Sequence, residues 1–381
     1  MIARDIKSRI MNDLFRGKVI LIFGARQVGK TTLVRALADE IKMPYKWFSG
    51  DEPDIRLSLS NISSTQLKLM YGNTKLVIID EAQRIENVGL MLKLSVDNFP
   101  DVQLIATGSS AFELANKINE PLTGRKYEYR LFSLSHKELS DHFGDIEENR
   151  SLEHRLIYGS YPEVINKRGE EQRTLLSISD SYLYKDLFAY ENIKKTSLFQ
   201  KLLSALALQT GSEVSYNELA GIVGANKETV EKYIDLLEQT FVIFRLNAYS
   251  RNVRNELKKS KKIYFYDNGI RNAIINNFLP LGSRNDAGVL WENYLISERI
   301  KLLSYNMKNS SYFFWRTTQQ QEIDYLEEEN GQLSAYEFKW NENKKYNFPK
   351  TFLNAYKVSA NHVINRNNYS SFIRSIGALN Y

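Results

Sequence analysis

Cysteine is absent from all 381 residues, which excludes disulfide bonds and thiolate metal sites and fits a reducing compartment. Histidine is scarce: His136, His142, His154 and His362 are scattered without ligand spacing, so no zinc site is expected. Long apolar runs are missing as well. The longest span five or six residues, far below the roughly 20 that cross a bilayer, and the opening Met1-Ile2-Ala3-Arg4-Asp5-Ile6-Lys7 lacks the pattern of a signal peptide. A soluble, cytoplasmic protein with no membrane association is the expectation. No internal repeat or low-complexity linker is visible, and the length suggests two or three domains. The net charge of +6 is too modest to argue for nucleic acid by itself, so the distribution of charge matters more.

Against these absences stands one dense motif. Residues 24–31 read GARQVGKT, matching the phosphate-binding loop G-x-x-x-x-G-K-[ST]. The apolar run Lys18–Phe23 before it suits a buried parallel strand, and Thr31–Ala38 after it has helical spacing. Gly24 and Gly29 let backbone N–H groups turn inward around phosphates, and a helix N-terminus near Lys30 adds positive dipole. The nucleotide-binding candidates are therefore Gly24, Ala25, Arg26, Gln27, Val28, Gly29, Lys30, Thr31 and Thr32. Lys30 would reach the β and γ phosphates of ATP, with the Thr31 hydroxyl on Mg2+. About 50 residues on, Lys75–Glu81 is an apolar run ending in two carboxylates, as a Walker B strand does. Asp80 would hold the magnesium shell, and Glu81 would orient the attacking water as catalytic base.

The next strand candidate, Val102–Ala106, stops at Thr107-Gly108-Ser109-Ser110. Ser109 is the choice for a γ-phosphate sensor, although it could equally cap a helix starting at Ala111. Arg125 follows in Leu122-Thr123-Gly124-Arg125, just before the strand candidate Tyr127–Phe132. From there it could act as an arginine finger toward a neighbouring subunit, which implies a homo-oligomer.

GARQVGKTTL, LVIIDEAQRI, ATGSSAF, LTGRKYEYRLFSLSHKEL, YGSYPEV, KKIYFYDNGI and VLWENYLISE occur in this order. With them the chain resembles the prokaryotic AAA-type ATPases whose C-terminal half is a domain of unknown function, over nearly its whole length. The resemblance implies an AAA+-like P-loop core, a helical lid, a winged-helix-like segment and a terminal nuclease-like fold. It also implies a second sensor, for which Arg155, Arg168 and Arg173 are all unremarkable.

Ser215–Val223, the Gly224-Ala225 turn and Asn226–Gln239 form a helix-turn-helix pattern, and the strand candidates Phe241–Leu246 and Lys262–Tyr266 make it a winged helix. Between Lys227 and Glu238, Lys227 and Lys232 oppose Glu228, Glu231, Asp235 and Glu238, an acidic excess that argues against reading a major groove with this helix. The hairpin loop RNVRNELKKSKK, residues 251–262, holds six cationic residues and one acidic. It is the better contact for DNA or RNA, or else a solvated loop.

The last hundred residues offer a second chemistry. A helical segment from about Gly288 to Ser304 carries Glu292, and the strand candidates Tyr312–Arg316, Glu322–Leu326 and Leu333–Lys339 carry Asp324, Glu337 and Lys339. This is a PD-(D/E)xK arrangement: Glu337 and Lys339 share a strand face while Tyr336 and Phe338 face the core. Asp324, Glu337 and Glu292 would hold Mg2+, and Lys339 would polarise a phosphodiester or water. A scaffold that keeps the fold without the activity is the alternative.

The expected fold class is α/β. Its parts are a P-loop, AAA+-like parallel-sheet core at 1–135, a helical lid at 136–210, a winged-helix-like segment at 211–284 and a PD-(D/E)xK-like domain at 285–381. The expected function is an ATP-hydrolysing module coupled to a nucleic-acid-directed, nucleolytic C-terminal region. The alternative is a nucleotide-controlled switch that binds another protein and cuts nothing.

Overall fold

The computed structural model describes residues 1–109, 122–180, 196–250, 261–344 and 346–376. The chain divides into two compact units, residues 1–133 with 239–241, and residues 134–238 with 242–381.

The first unit is built on a five-stranded sheet of β1 (Val19–Phe23), β2 (Tyr45–Ser49), β3 (Leu76–Asp80), β4 (Gln103–Gly108) and β5 (Lys126–Arg130). The order is β2-β3-β4-β1-β5 and every pairing is parallel. β1, β3 and β4 are buried along their whole length, which is why they read as unbroken apolar runs: a parallel strand covered on both faces has no solvent side to mark. The edge strands β2 and β5 carry the exposed residues. Chain order reverses at β1, which lies between β4 and β5, and in open α/β sheets ligands bind outside the carboxyl ends of strands at such a switch point. The loop that leaves β1 there feeds the helix Lys30–Ile41.

The second unit begins with short helices. It is then organised by a seven-stranded mixed sheet of β6 (Glu213–Val214), β7 (Ile243–Ala248), β8 (Lys261–Phe265), β9 (Ser311–Arg316), β10 (Glu322–Glu329), β11 (Gln332–Phe338) and β12 (Val358–Ile364). Its order is β12-β11-β10-β9-β7-β8-β6. A parallel pairing of β7 with β9, through Asn247 opposite Phe313 and Ala248 opposite Phe314, joins the two halves. The sheet therefore runs straight through position 285, where sequence suggested a boundary. The helix-turn-helix segment consists of Tyr216–Val223, capped by the left-handed Gly224, and Lys227–Gln239. The long helix Ala287–Tyr305 is buried on nearly all sides, so its charged residues must be paired. Arg299 bonds both carboxylate oxygens of Glu327 at 2.9 and 3.0 Å, and Lys301 reaches Glu298 at 2.7 Å. Among the described residues, no helix is long and apolar enough to cross a membrane.

Candidate functional site

The loop after β1 has its geometry imposed by close approach. A Cβ on Gly24 would stand 2.1 Å from the Leu131 carbonyl oxygen, so no other residue fits there. Gly29 (φ 96°) and Gln27 (φ 62°) are left-handed, which turns successive N–H groups to one side. Arg4 braces the loop from outside the motif, donating to the carbonyls of Val28 and Phe132 at 2.7 Å each.

Lys30 is buried, and its Nζ donates to the loop's own carbonyls of Gly24 and Ala25 at 2.9 Å each. Burial pushes its pKa down to about 8, against the pull of Glu81 and Asp80. Thr31 Oγ1 donates to Asp80 Oδ2 at 2.9 Å, and Thr107 Oγ1 to Asp80 Oδ1 at 2.5 Å. Thr107 Oγ1 in turn accepts the Glu81 N–H at 3.1 Å. Glu81 itself is left-handed (φ 50°), a conformation that costs a non-glycine residue energy and marks a site held by its surroundings. Gln83 Nε2 completes the cluster, 2.5 Å from Glu81 Oε2 and 3.0 Å from Ser109 Oγ.

Sequence thus picked Lys30, Thr31, Asp80, Glu81 and Ser109, which the fold gathers at the ends of β1, β3 and β4. It missed Thr107 and Gln83. Thr107 ends the same strand as Ser109, and Gln83 lies two residues past Glu81, so both lay within the motifs already read. Thr32 is exposed on the helix. Arg125 has a partner of its own, Asp97 Oδ1 at 2.6 Å from Nε. Ser110 and the segment from Ala111 lie outside the described residues. The phosphate cradle, its lysine and the Thr31–Asp80 pair fit ATP with Mg2+.

Residues 16–140 match the family model described as AAA domain. This part of the chain is an AAA domain. Residues 149–280 and 287–379 match two models described as Domain of unknown function (DUF8612 and DUF4143). An uncharacterized protein of Mycobacterium tuberculosis is 27% identical over 342 residues, covering 88% of this chain and 73% of its own length. One from Haemophilus influenzae is 25% identical over 282 residues, with 67% and 68% covered. Solved structures of low similarity include the RuvB Holliday junction branch migration motor of Thermotoga maritima (18% identity, TM-score 0.33, covering 68% of this chain and 95% of that one). The ORC2 protein of Aeropyrum pernix has 14% identity and TM-score 0.35, covering 71% and 91%.

Beyond the AAA domain, three of the motifs that carry the resemblance, YGSYPEV, KKIYFYDNGI and VLWENYLISE, meet in one buried polar knot. Asp267 Oδ2 accepts the Ser160 N–H at 2.9 Å, and a Cβ on Gly159 (φ 66°) would stand 1.9 Å from Asp267 Oδ1. Asn268 donates to the Leu290 carbonyl at 2.9 Å, and Asn293 bonds the backbone of Phe265 and the Asn268 side chain. These residues tie the unit together. Arg155, weighed as a second sensor, is likewise structural: it is buried on Glu148 through two bonds of 2.9 Å.

Of the C-terminal candidates, Glu292, Asp324 and Glu337 line a cavity of about 560 Å³. Register places Asp324 beside Glu337, since Tyr325 pairs with Tyr336 on the next rung. Asp324 accepts the Phe338 N–H at 2.8 Å, and burial, with Glu292 and Glu337 adding to it, raises its pKa well above the usual carboxylate range. Lys339 pairs with Glu337 Oε1, while the buried Glu337 Oε2 has no hydrogen-bond partner among the described residues. Glu292 accepts from Tyr264 Oη at 2.5 Å.

Glu292, Asp324 and Glu337 share this cavity, but among the described residues no three His, Cys, Asp or Glu side chains are placed to hold a metal ion. Lys262, expected in a phosphate-contacting loop, lies among them instead. It is only 2% exposed, enters the cavity from β8, and lies 3.3 Å from Glu292 and in contact with Glu322. Residues 251–260 of that basic segment lie outside the described residues. The acidic excess of the helix Lys227–Gln239 is also smaller than its sequence suggests, because Arg245 on β7 pairs with Asp235 at 2.7 Å and with Glu238 at 2.8 Å. Counting Arg245, three cations stand against four carboxylates, an excess of one negative charge where the helix alone shows two.

Proposed function

We propose that the chain binds and hydrolyses ATP at its AAA domain and that the state of this site controls what the second unit binds. The observation that carries the reading is the Thr31–Asp80 hydrogen bond beside the buried Lys30, with Glu81 adjacent. Lys30 binds the phosphates and Thr31 and Asp80 hold Mg2+, which spreads the phosphate charge when bound. Glu81 orients and deprotonates the attacking water, and Gln83 and Thr107 fix its position. Ser109 senses the γ-phosphate. The family as a group supports ATP turnover. Phosphate release from Mg-ATP by the purified chain, lost on Lys30→Ala, tests it.

A second reading makes the second unit nucleic-acid-directed and nucleolytic. One observation favours it: Asp324 and Glu337 line a common cavity in which Glu337 Oε2 has no hydrogen-bond partner among the described residues, with Lys339 paired to the other oxygen of Glu337. Incubating linear, circular and single-stranded DNA and RNA with Mg2+ or Mn2+, with and without ATP, tests it. Cleavage lost on Asp324→Ala supports a nuclease; no cleavage by the parent chain leaves the nucleotide-controlled switch.

A further inference from the structure

A PD-(D/E)xK fold implies a divalent cation between its carboxylates, and the residues here do not fit one. Charge explains why. Glu292, Glu322, Asp324 and Glu337 bring four carboxyl groups to the cavity wall, a set of hard oxygen donors that alone would suit a divalent ion. The chain answers with its own cations. Lys262 Nζ lies against Glu292 and Glu322, Lys339 holds Glu337, and Arg316 Nε stands 3.6 Å from Glu322. Three cations thus face four carboxyl groups, and burial already favours the neutral form of Asp324, so little uncompensated negative charge is left for a divalent ion.

Lys262 is the decisive member because it belongs to no part of the PD-(D/E)xK pattern. It comes from β8, far from the β10–β11 pair in sequence but in the same sheet, and antiparallel pairing with Leu246 fixes its face. Its Nζ also sits 5.4 Å over the Phe314 ring, so the stem is packed and the ammonium cannot swing to solvent without leaving a buried gap. A lysine offers donors only. It satisfies carboxylates as a metal does but repels a metal placed among them.

We infer that the Lys262 ammonium takes the place of the divalent cation in this cavity, so that the site is assembled without metal. Glu337 Oε2 then remains as an acceptor for an N–H or O–H donor of a bound molecule. The site then binds such a donor-bearing molecule without metal, in place of the metal-dependent cleavage of the second reading; Mg2+-dependent cutting by the parent chain that Asp324→Ala abolishes would overturn it.

The test is Mn2+ binding to the full chain, free of nucleotide, followed by the electron paramagnetic resonance of unbound Mn2+. The parent and Asp324→Asn bind the same amount, because no ion uses Asp324. Lys262→Met gains one bound ion per chain, and Lys262→Met with Asp324→Asn loses it again. The inference is overturned if the parent binds an ion that Asp324→Asn abolishes, a comparison that does not depend on how Lys262→Met folds. It is also overturned if Lys262→Met and Lys262→Gln, each with a parent-like melting curve, gain none. ATP turnover by these variants stays at the parent rate, so failure here leaves the ATP-hydrolysis reading standing.

Discussion

Lys30 carries a pH dependence that the phosphate loop does not advertise. In the nucleotide-free chain its ammonium is buried, and burial pushes its pKa down to about 8 while Glu81 and Asp80 pull it up. ATP binding requires the charged form and adds negative phosphate beside it, so the pKa rises in the complex and binding takes up a proton. Affinity must therefore fall as pH rises through 8 and stay flat below it. The charged fraction is about 0.9 at pH 7 and about 0.1 at pH 9, so the apparent Kd weakens by about tenfold between them, equivalent to about 1.4 kcal/mol. Calorimetric titration with an ATP analogue at pH 7, 8 and 9 reads this directly. Repeating pH 8 in two buffers of different ionisation enthalpy should show uptake of about half a proton. A Kd that is constant across this range, with no proton uptake, would refute the claim that Lys30 is held partly neutral by its burial.

Three further outcomes follow from the same geometry. Arg155→Ala strands the buried Glu148 carboxylate and should cost about 3 to 5 kcal/mol in the second unit, seen as a lower melting temperature with ATP binding intact; an unchanged melting curve would contradict the structural role. Burial, aided by Arg374 and Arg155, pushes His136 down to about 4, so the unfolded chain takes up a proton first and stability is lost as pH falls from about 6.5 toward 4, by up to about 3 kcal/mol. Urea melts should show His136→Gln with a shallower acid slope than the parent, and equal slopes would remove His136 from the account. If Arg125 leaves Asp97 to act across a subunit boundary, mixing Arg125→Ala with Lys30→Ala chains restores some hydrolysis; a verified mixed oligomer without recovery leaves Arg125 as the local partner of Asp97.

What could be read from sequence depended on how locally each group is placed. Lys30 and Thr31 open the helix that follows β1, and Asp80 and Glu81 stand at the end of β3; apolar runs and turn residues fix both places within a few residues, so their meeting was legible. Lys262 was not, because a cationic run between two strand candidates reads as a solvated loop. The signal that contradicts that reading is alternation, since Lys262 shares a strand face with the buried Tyr264. The β7–β9 pairing that merges two expected domains into one sheet joins segments distant in sequence, and no local pattern encodes such a partner. The acidic helix was over-read for a different reason: its charges were counted alone, whereas Arg245 on the following strand pairs with Asp235 and Glu238.

The central claim is that the AAA domain turns over ATP through Lys30 and Glu81. The most direct measurement is steady-state phosphate release from Mg-ATP by the full chain, with nucleotide binding measured in parallel for the parent, Lys30→Ala and Glu81→Gln. The parent should hydrolyse ATP and Lys30→Ala should lose binding. Glu81→Gln should bind as the parent does while turnover falls by about a hundredfold or more. Hydrolysis by Glu81→Gln at the parent rate, or none by the parent while it binds ATP, would contradict the assignment.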